Sequence, residues 1–379
     1  MHREEGAAAV LQIRLNWTNE VNAMVTRKDI AVKAGVSVSV VSRALNNSGY
    51  VETEKKERIL QIAKELGYSP NPVAMSLATR RTKQILFYCK DLKNSFNIET
   101  YQGMMQAAQE RGYMVVINGT IDFHQIKNLM VDGLILPNEA LTNIYLKEVG
   151  KNYYLPVVCL AYGNAIKGEF EKSVPIVECD LWKGSEELLQ YLWMHGHRKI
   201  AMLTPYSWYN EEPRIVAWKQ FTKCELGSRQ KEYYLGIASE EYADNRKVCE
   251  FPEEKETDNL SIAESFFEKG EVAAEIFAEK KLDATAVVCF NDEMALGFHK
   301  RISRLGYRVP EDISLVSFDG VYCRRYMDKN LTSLDLQPKK MGSKSVNVLL
   351  DMIDGKRIKY MTHISAKFLE GDTVRLLNR

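Results

Sequence analysis

Two short apolar-periodic segments flank a single glycine, Gly35, in "VTRKDIAVKAGVSVSVVSRALN", residues 25–46. Neither is long enough to hold as a lone helix in water, where helices under about 12–15 residues are marginal. They must therefore share a core. The first helix is expected over 27–34, with Ile30, Ala31 and Ala34 inward. Gly35 supplies the left-handed backbone of a tight turn. Ser37 is placed to cap a second helix over 38–45, in which Val41, Ala44 and Leu45 share a face. A third helix over 53–66, with Thr53 as its cap and Gly67 and Pro70 as its stop, turns Ile59, Leu60, Ala63 and Leu66 inward. Three short helices on one small core make a helix-turn-helix domain. An αα-hairpin of an ordinary bundle would satisfy the same spacing.

The rest of the second helix, and the local charge, favour the first reading. Val38, Ser39, Ser42, Arg43 and Asn46 fall on one continuous face away from the core. Short donor-bearing side chains with one arginine suit the major groove of DNA, where arginine takes guanine O6 and N7 bidentately. Residues 26–83 hold 11 Lys/Arg against 5 Asp/Glu, although the whole chain of 379 residues has a net charge of only +1. A basic head on an acidic body is the asymmetry of a polyanion-binding module. Next comes "SPNPVAMSLATRRTKQ", in which Asn71 and Pro72 are a helix start. The helix expected over 73–77 is too short to stand without support.

The run "VTRKDIAVKAGVSVSVVSRALNNSGYVETEKKERILQIAKELGYSPNPVAMSL" resembles the DNA-binding head and hinge of the LacI family of bacterial transcriptional regulators. The likeness continues more loosely through "HGHRKIAML", "CFNDEMALGF", "VPEDISLVSFD" and "LTSLDLQPKKMG". It implies that Val38 and Ser39 choose bases. It places Ser37, Ser42, Arg43, Asn46 and Tyr50 at DNA-contact positions, and Asn71, Ala74 and Leu77 on a hinge helix. Two such hinge helices would pair in the minor groove of a pseudo-palindromic operator, with Leu77 as the wedge between base pairs. That site requires a homodimer.

From residue 84 the chain alternates strand-like and helix-like runs in two series, the second starting near Leu181. This predicts two doubly wound parallel-sheet subdomains. With the resemblance, the expected fold is an all-α helix-turn-helix head on an α/β body like the periplasmic binding proteins. The expected division is a leader over 1–24, a DNA-binding domain over 25–70, a hinge helix and linker over 71–83, and a sensing and dimerisation domain over 84–379. Within the last, one subdomain takes about 84–180 and 338–364, the other about 181–334 and 365–379, with crossings near 179–182, 333–338 and 363–366. Residues 1–23 match no later pattern, and Met24 stands directly before "VTRKD"; either the natural start lies there or the leader is disordered.

A ligand of such a body binds between the subdomains, beyond the carboxyl ends of the strands. Asn291 and Asp292 follow "AVVCF", Asp319 ends "ISLVSFD", and Arg214 opens the helix after "KIAML". By resemblance Arg214, Asn291 and Asp319 match positions that hydrogen-bond effector hydroxyls. Asp292 joins them as a candidate, though it reads first as the cap of the helix starting at Glu293. Phe96, Tyr162, Trp208 and Tyr209 lie on strand-end loops, free to stack on a sugar or simply to pack. Where many relatives carry a "PD–NPFF"-like loop, this chain has "KDLKNSFN"; Ala161 and Tyr162 stand where an acidic residue is common, and Gly320 replaces a polar one. The segment 118–132 is also shorter than usual. The loss of polar groups argues against a simple free hexose and toward a larger, aromatic-contacting glycan or a non-sugar ligand.

The seven cysteines form no C-x-x-C pair, and the six histidines show no zinc spacing. Neither a phosphate-binding glycine motif nor G-x-S-x-G is present. The chain therefore reads as a cytoplasmic regulator, nucleoid-associated when bound. It is not expected to be an enzyme, to need a cofactor or metal, or to engage a membrane. Its expected partners are double-stranded operator DNA, a small effector, carbohydrate by family, and a second copy of itself. A cleft active site is the enzyme alternative, and a transport binding protein would need an export signal in place of the head. Repression is the default mode. A corepressor system tightened by a non-sugar ligand or a partner protein fits the same sequence. No heptad-repeat helix follows "FLEGDTVRLLNR", so the expected assembly is a dimer.

Overall fold

The computed structural model describes residues 25–89, 91–119, 129–149, 155–163, 174–237 and 265–377. The leader lies outside the described residues. The chain divides into two units between Arg81 and Thr82.

In the first unit, α1 (Arg27–Ala34) begins at a capping box: Asp29 Oδ2 accepts the Thr26 N–H at 2.8 Å while the Thr26 hydroxyl accepts from the Asp29 N–H. Gly35 closes it at φ 67°. Helix α2 (Val38–Asn46) follows, with Val41 and Ala44 buried. Ser37 holds the N-cap position, but its hydroxyl pairs with the Ser39 hydroxyl at 2.9 Å and caps no backbone N–H. Helix α3 (Thr53–Glu65) starts one residue earlier than a Thr53 cap requires: Glu52 occupies the cap position and makes no side-chain cap bond. Its inward face is Ile59, Ile62 and Ala63, whereas Leu60 is 44% exposed. The helical repeat explains the exchange. Positions i, i+3 and i+4 share a stripe, and i+1 lies 100° away from it. These side chains, with Ile30, Ala31 and Ala34 of α1, form the head's core. Helix α4 (Pro72–Thr79) is longer than the five-residue segment expected, and Asn71 caps it by accepting from the N–H groups of Val73 (2.9 Å) and Ala74 (3.4 Å).

The second unit holds two six-stranded sheets. In the first, β1 (Gln84–Tyr88) lies between β2 (Met114–Asn118) and β3 (Gly133–Leu136), followed by β4 (Val157–Ala161), β5 (Ile176–Cys179) and β11 (Met361–Ile364), all parallel. In the second, β6 (Ile200–Thr204) lies between β7 (Tyr234–Gly236) and β8 (Ala286–Cys289). Then come β9 (Ser314–Asp319), β10 (Thr332–Asp335) and an antiparallel edge strand, β12 (Lys367–Leu369). The inner strands β1, β3, β4, β6 and β8 are largely apolar runs buried on both faces, as parallel sheets under two helix layers require, while the edge strands β2, β11 and β12 are partly exposed. Each sheet reverses its order beside its first strand, which opens a crevice at the carboxyl ends.

The helices are α5 (Ser95–Glu110), α6 (Glu139–Val149), α7 (Leu181–Met194), α8 (Pro213–Leu226), α9 (Phe266–Glu279), α10 (Asp292–Arg304) and α11 (Pro338–Ile353). Helix α11 follows a strand of the second sheet yet packs on α5 and on strands of the first. The chain thus passes between the halves after β5, after β10 and after β11. Gly342 of α11 meets α5 so closely that a Cβ would lie 2.0 Å from the Thr100 carbonyl oxygen.

Candidate functional site

Two surfaces carry the candidate residues. On the head, burying Val41 and Ala44 turns Val38, Ser39, Arg43 and Asn46 outward, with Ser42 half-buried beside them. The Arg43 Nε touches only the Ser39 carbonyl, at 3.5 Å, so its terminal nitrogens have no partner among the described residues. Tyr50, beyond the helix, is 86% exposed. Among the described side chains of α4 none is buried. Asn71 and Ala74 are exposed, and Leu77 is 73% exposed beside Val73 and Met75. Val73, Met75 and Leu77 thus leave an apolar stretch of α4 open to solvent.

Sequence reasoning missed Arg27. From the first turn of α1 its Nη1 donates to the Ser42 hydroxyl at 3.0 Å, its Nε to the Tyr68 phenol at 3.1 Å, and its Nη2 reaches Asn46 Oδ1 at 3.5 Å. An arginine at this position reads in the sequence only as one more positive charge.

The second surface is the crevice between the two sheets. From the first half, Asn94 caps α5 on the N–H groups of Phe96 and Asn97. Phe96 is thereby held against Tyr162, their rings edge to face at 5.7 Å. Tyr162 follows β4, and its N–H donates to Glu139 Oε1 at 2.8 Å. Burial raises the Tyr162 phenol well above its usual range, with Glu139 and Asp319 adding to the shift. From the second half come Arg214 after β6, Asn291 after β8 and Asp319 at the end of β9.

Arg214 is already engaged. Its Nε donates to Glu212 Oε1 at 2.7 Å and its Nη1 to the Phe290 carbonyl at 2.6 Å, while its plane lies 3.5 Å over the Phe290 ring. Glu212, a second residue the sequence did not single out, fixes this guanidinium. Asn291 is the true cap of α10, accepting from the Met294 N–H at 2.9 Å. That corrects the expectation of an Asp292 cap. Asp292 is instead fully buried, accepting from the hydroxyls of Ser317 (2.5 Å) and Ser333 (2.6 Å) and the Val321 N–H (2.8 Å). Its carboxylate ties α10 to β9 and β10 and is spent there, so it is not placed as an effector ligand. Burial raises its pKa to about 7, against the pull of those bonds.

Asp319 differs from Asp292. It is 7% exposed and makes no side-chain hydrogen bond among the described residues. Its φ of 99° is a strained value for a residue with a side chain. Burial first, then Asp292, pushes its carboxyl well above the ordinary range, and Arg214 pulls the other way. Its oxygens are not sealed off from solvent, so water or a ligand can supply their donors. The adjoining Gly320 lies so close to β10 that a Cβ would stand 2.3 Å from the Asp335 Cα. The missing polar side chain there is a packing requirement. Trp208 sits in an aromatic cluster, 5.2 Å from Tyr234 and 6.4 Å from Trp218 by ring centroid, with Lys219 Nζ 4.5 Å over it.

Across the crevice, Glu293 Oε1 accepts from both the N–H and the hydroxyl of Ser95 at 2.7 Å, and Glu99 Oε1 accepts from the Tyr322 N–H at 2.7 Å. These bonds stitch the start of α5 to the opposite half. No helix among the described residues is long and apolar enough to cross a membrane, and they hold no group of three or more residues suited to a metal.

Residues 26–71 match the model of bacterial regulatory proteins of the lacI family, and residues 189–374 match that of a periplasmic binding protein-like domain. The chain is 26% identical over 365 residues to the HTH-type transcriptional repressor PurR of Vibrio vulnificus, covering 94% of this chain and all of that one. Its fold is similar to that of a lac repressor dimer bound to operator and the anti-inducer ONPF, with a TM-score of 0.71, 20% identity, and coverage of 93% of this chain and 99% of that one. It is also similar to a transcriptional regulator CelR–cellobiose complex, with a TM-score of 0.56, 22% identity, and coverage of 92% and 99%.

Proposed function

Because this chain belongs to the lacI family of bacterial regulatory proteins, we propose that it is a ligand-controlled transcriptional repressor. It binds a pseudo-palindromic operator as a homodimer, one head to each half-site, in the cytoplasm. The observation that carries this reading is α2: one face is packed into the head, and the other presents Val38, Ser39, Ser42, Arg43 and Asn46 on a basic unit. Ser37 and Tyr50 flank that face at the ends of the helix and of its loop. Asn71, Ala74 and Leu77 would follow into the minor groove, with Leu77 wedging base pairs apart.

The regulator's ligand site is the crevice. Asp319 offers unpaired acceptors, Arg214 one uncommitted nitrogen, Asn291 a buried amide, and Phe96 and Tyr162 an aromatic wall. Acceptors and donors of fixed geometry beside an apolar face are what a carbohydrate requires. The cellobiose held by CelR supports that ligand class. Ligand-driven movement of the two halves would then change the spacing of the heads.

The test is a binding titration of DNA selected by the protein from a random duplex pool, repeated with sugars. Release of DNA by one sugar assigns induction. Tightening assigns the corepressor mode. Failure to enrich any duplex overturns the DNA reading itself.

A further inference from the structure

We propose that Arg27 is a positioning residue of the DNA interface, orienting Ser42 and Asn46 so that both turn hydrogen-bond donors toward DNA. The inference rests on the DNA-binding reading of α2. A hydroxyl both accepts and donates. The Ser42 oxygen receives the Arg27 Nη1 at 3.0 Å, so its own hydrogen is left to point outward. The Asn46 carbonyl oxygen faces Arg27 Nη2 at 3.5 Å, and its Nδ2 donates to the Ser42 oxygen, also at 3.5 Å, which leaves one N–H of the amide for DNA. The third contact, Nε to the Tyr68 phenol at 3.1 Å, anchors the guanidinium to the segment after α3. Arg27 itself is held at the first turn of α1 by the Thr26–Asp29 capping box. One planar fork thus ties three parts of the head together through the groove-facing edge of α2. Lysine, a single point charge on a flexible stem, has no equivalent geometry. The acceptors thus matched are phosphate oxygens or the O6 and N7 of guanine.

The test uses the full chain and the duplex that the wild-type protein enriches from a random pool, with a scrambled duplex of equal length. R27A is expected to weaken binding to the selected duplex about tenfold, the scale of a lost charged hydrogen bond. R27K is expected to regain little of that loss while leaving the salt slope unchanged. In an S42A background, R27A is expected to cost much less than it does alone, because the group it orients is gone. Circular dichroism and melting of R27K check that the head stays folded. Recovery of wild-type affinity by R27K would overturn the proposal and make Arg27 a plain charge. So would equal loss on both duplexes with a salt slope lower by about one, the mark of a phosphate contact. Full additivity of R27A and S42A would also overturn it. If the wild-type protein enriches no duplex, the DNA-binding reading fails first, which is distinguishable from these outcomes.

Discussion

At the residue scale, two aspartates in the second half of the body differ in what holds them. Asp292 has three donors, and Asp319 has none among the described residues. Both are buried, and both carboxyls are raised above the ordinary value of 3.8, Asp292 to about 7. A carboxyl whose pKa is higher in the folded state binds its proton more tightly there. Its stabilising contribution is whole below the unfolded value and is lost as pH rises through the folded one. The body's melting temperature should therefore carry a component that falls between about pH 4 and pH 7. D292N, which cannot ionise, should flatten it; thermal melts across that range check this. Asp319 should be needed for ligand response, so D319A is expected to keep operator affinity and lose release by ligand. Arg43→Ala should cost about 1–3 kcal/mol of operator binding and relax choice at one base position, as read by a panel of single-base variants.

The sequence disclosed these residues unequally. The outward placement of Arg43 was legible because the apolar face of α2 fixes the opposite face by geometry, whereas Leu77 was singled out by the resemblance alone. Asp292 was misread as the cap because two cap-capable residues stand side by side at 291 and 292, and only the backbone path decides which one precedes the first turn. Arg27 was not legible, since its role depends on partners brought near by the fold; Glu212 stands only two positions from Arg214, but the turn that folds its carboxylate back onto the guanidinium is not written in the residue types. Arg27 reaches Tyr68, 41 positions away.

At the element scale, α4 has no core of its own. Its eight residues are capped by Asn71 and leave Val73, Met75 and Leu77 exposed. A helix of two turns is marginal in water, so contact with DNA or with its twin is what would make it persist. Leu77→Ala is expected to weaken binding to operator far more than to nonspecific DNA, because only the kinked operator complex inserts the side chain. Comparing the two affinities by anisotropy checks this, and equal losses would contradict it. The body's strands were readable from apolar runs, and its layers from their alternation with helices. The inward face of α3 was legible in part: Ile59 and Ala63 share the stripe, but the repeat puts Ile62 on it in place of Leu60.

At the whole-molecule scale, a basic head and an acidic body give one chain two chemistries. DNA affinity should fall steeply with salt, because phosphate contacts release counterions. A titration from about 50 to 200 mM salt would show this as a linear fall in log affinity. In the proposed reading the body would carry the switch: its halves are joined by three crossings and stitched at the rim by Ser95 with Glu293 and by Glu99 with the Tyr322 N–H. The resemblance of sequence motifs foretold two halves around a crevice. It did not foretell these rim bonds, which depend on side chains about 200 positions apart.

The central claim is that ligand in the crevice controls the grip of the heads on DNA. The most direct measurement is fluorescence anisotropy on a fragment from upstream of the protein's own gene, with and without a panel of mono- and oligosaccharides. The account predicts saturable binding in preference to scrambled DNA, changed by a sugar in the wild type and unchanged by the same sugar in D319A. Equal affinity for the fragment and for scrambled DNA, with no response to any ligand, would contradict it.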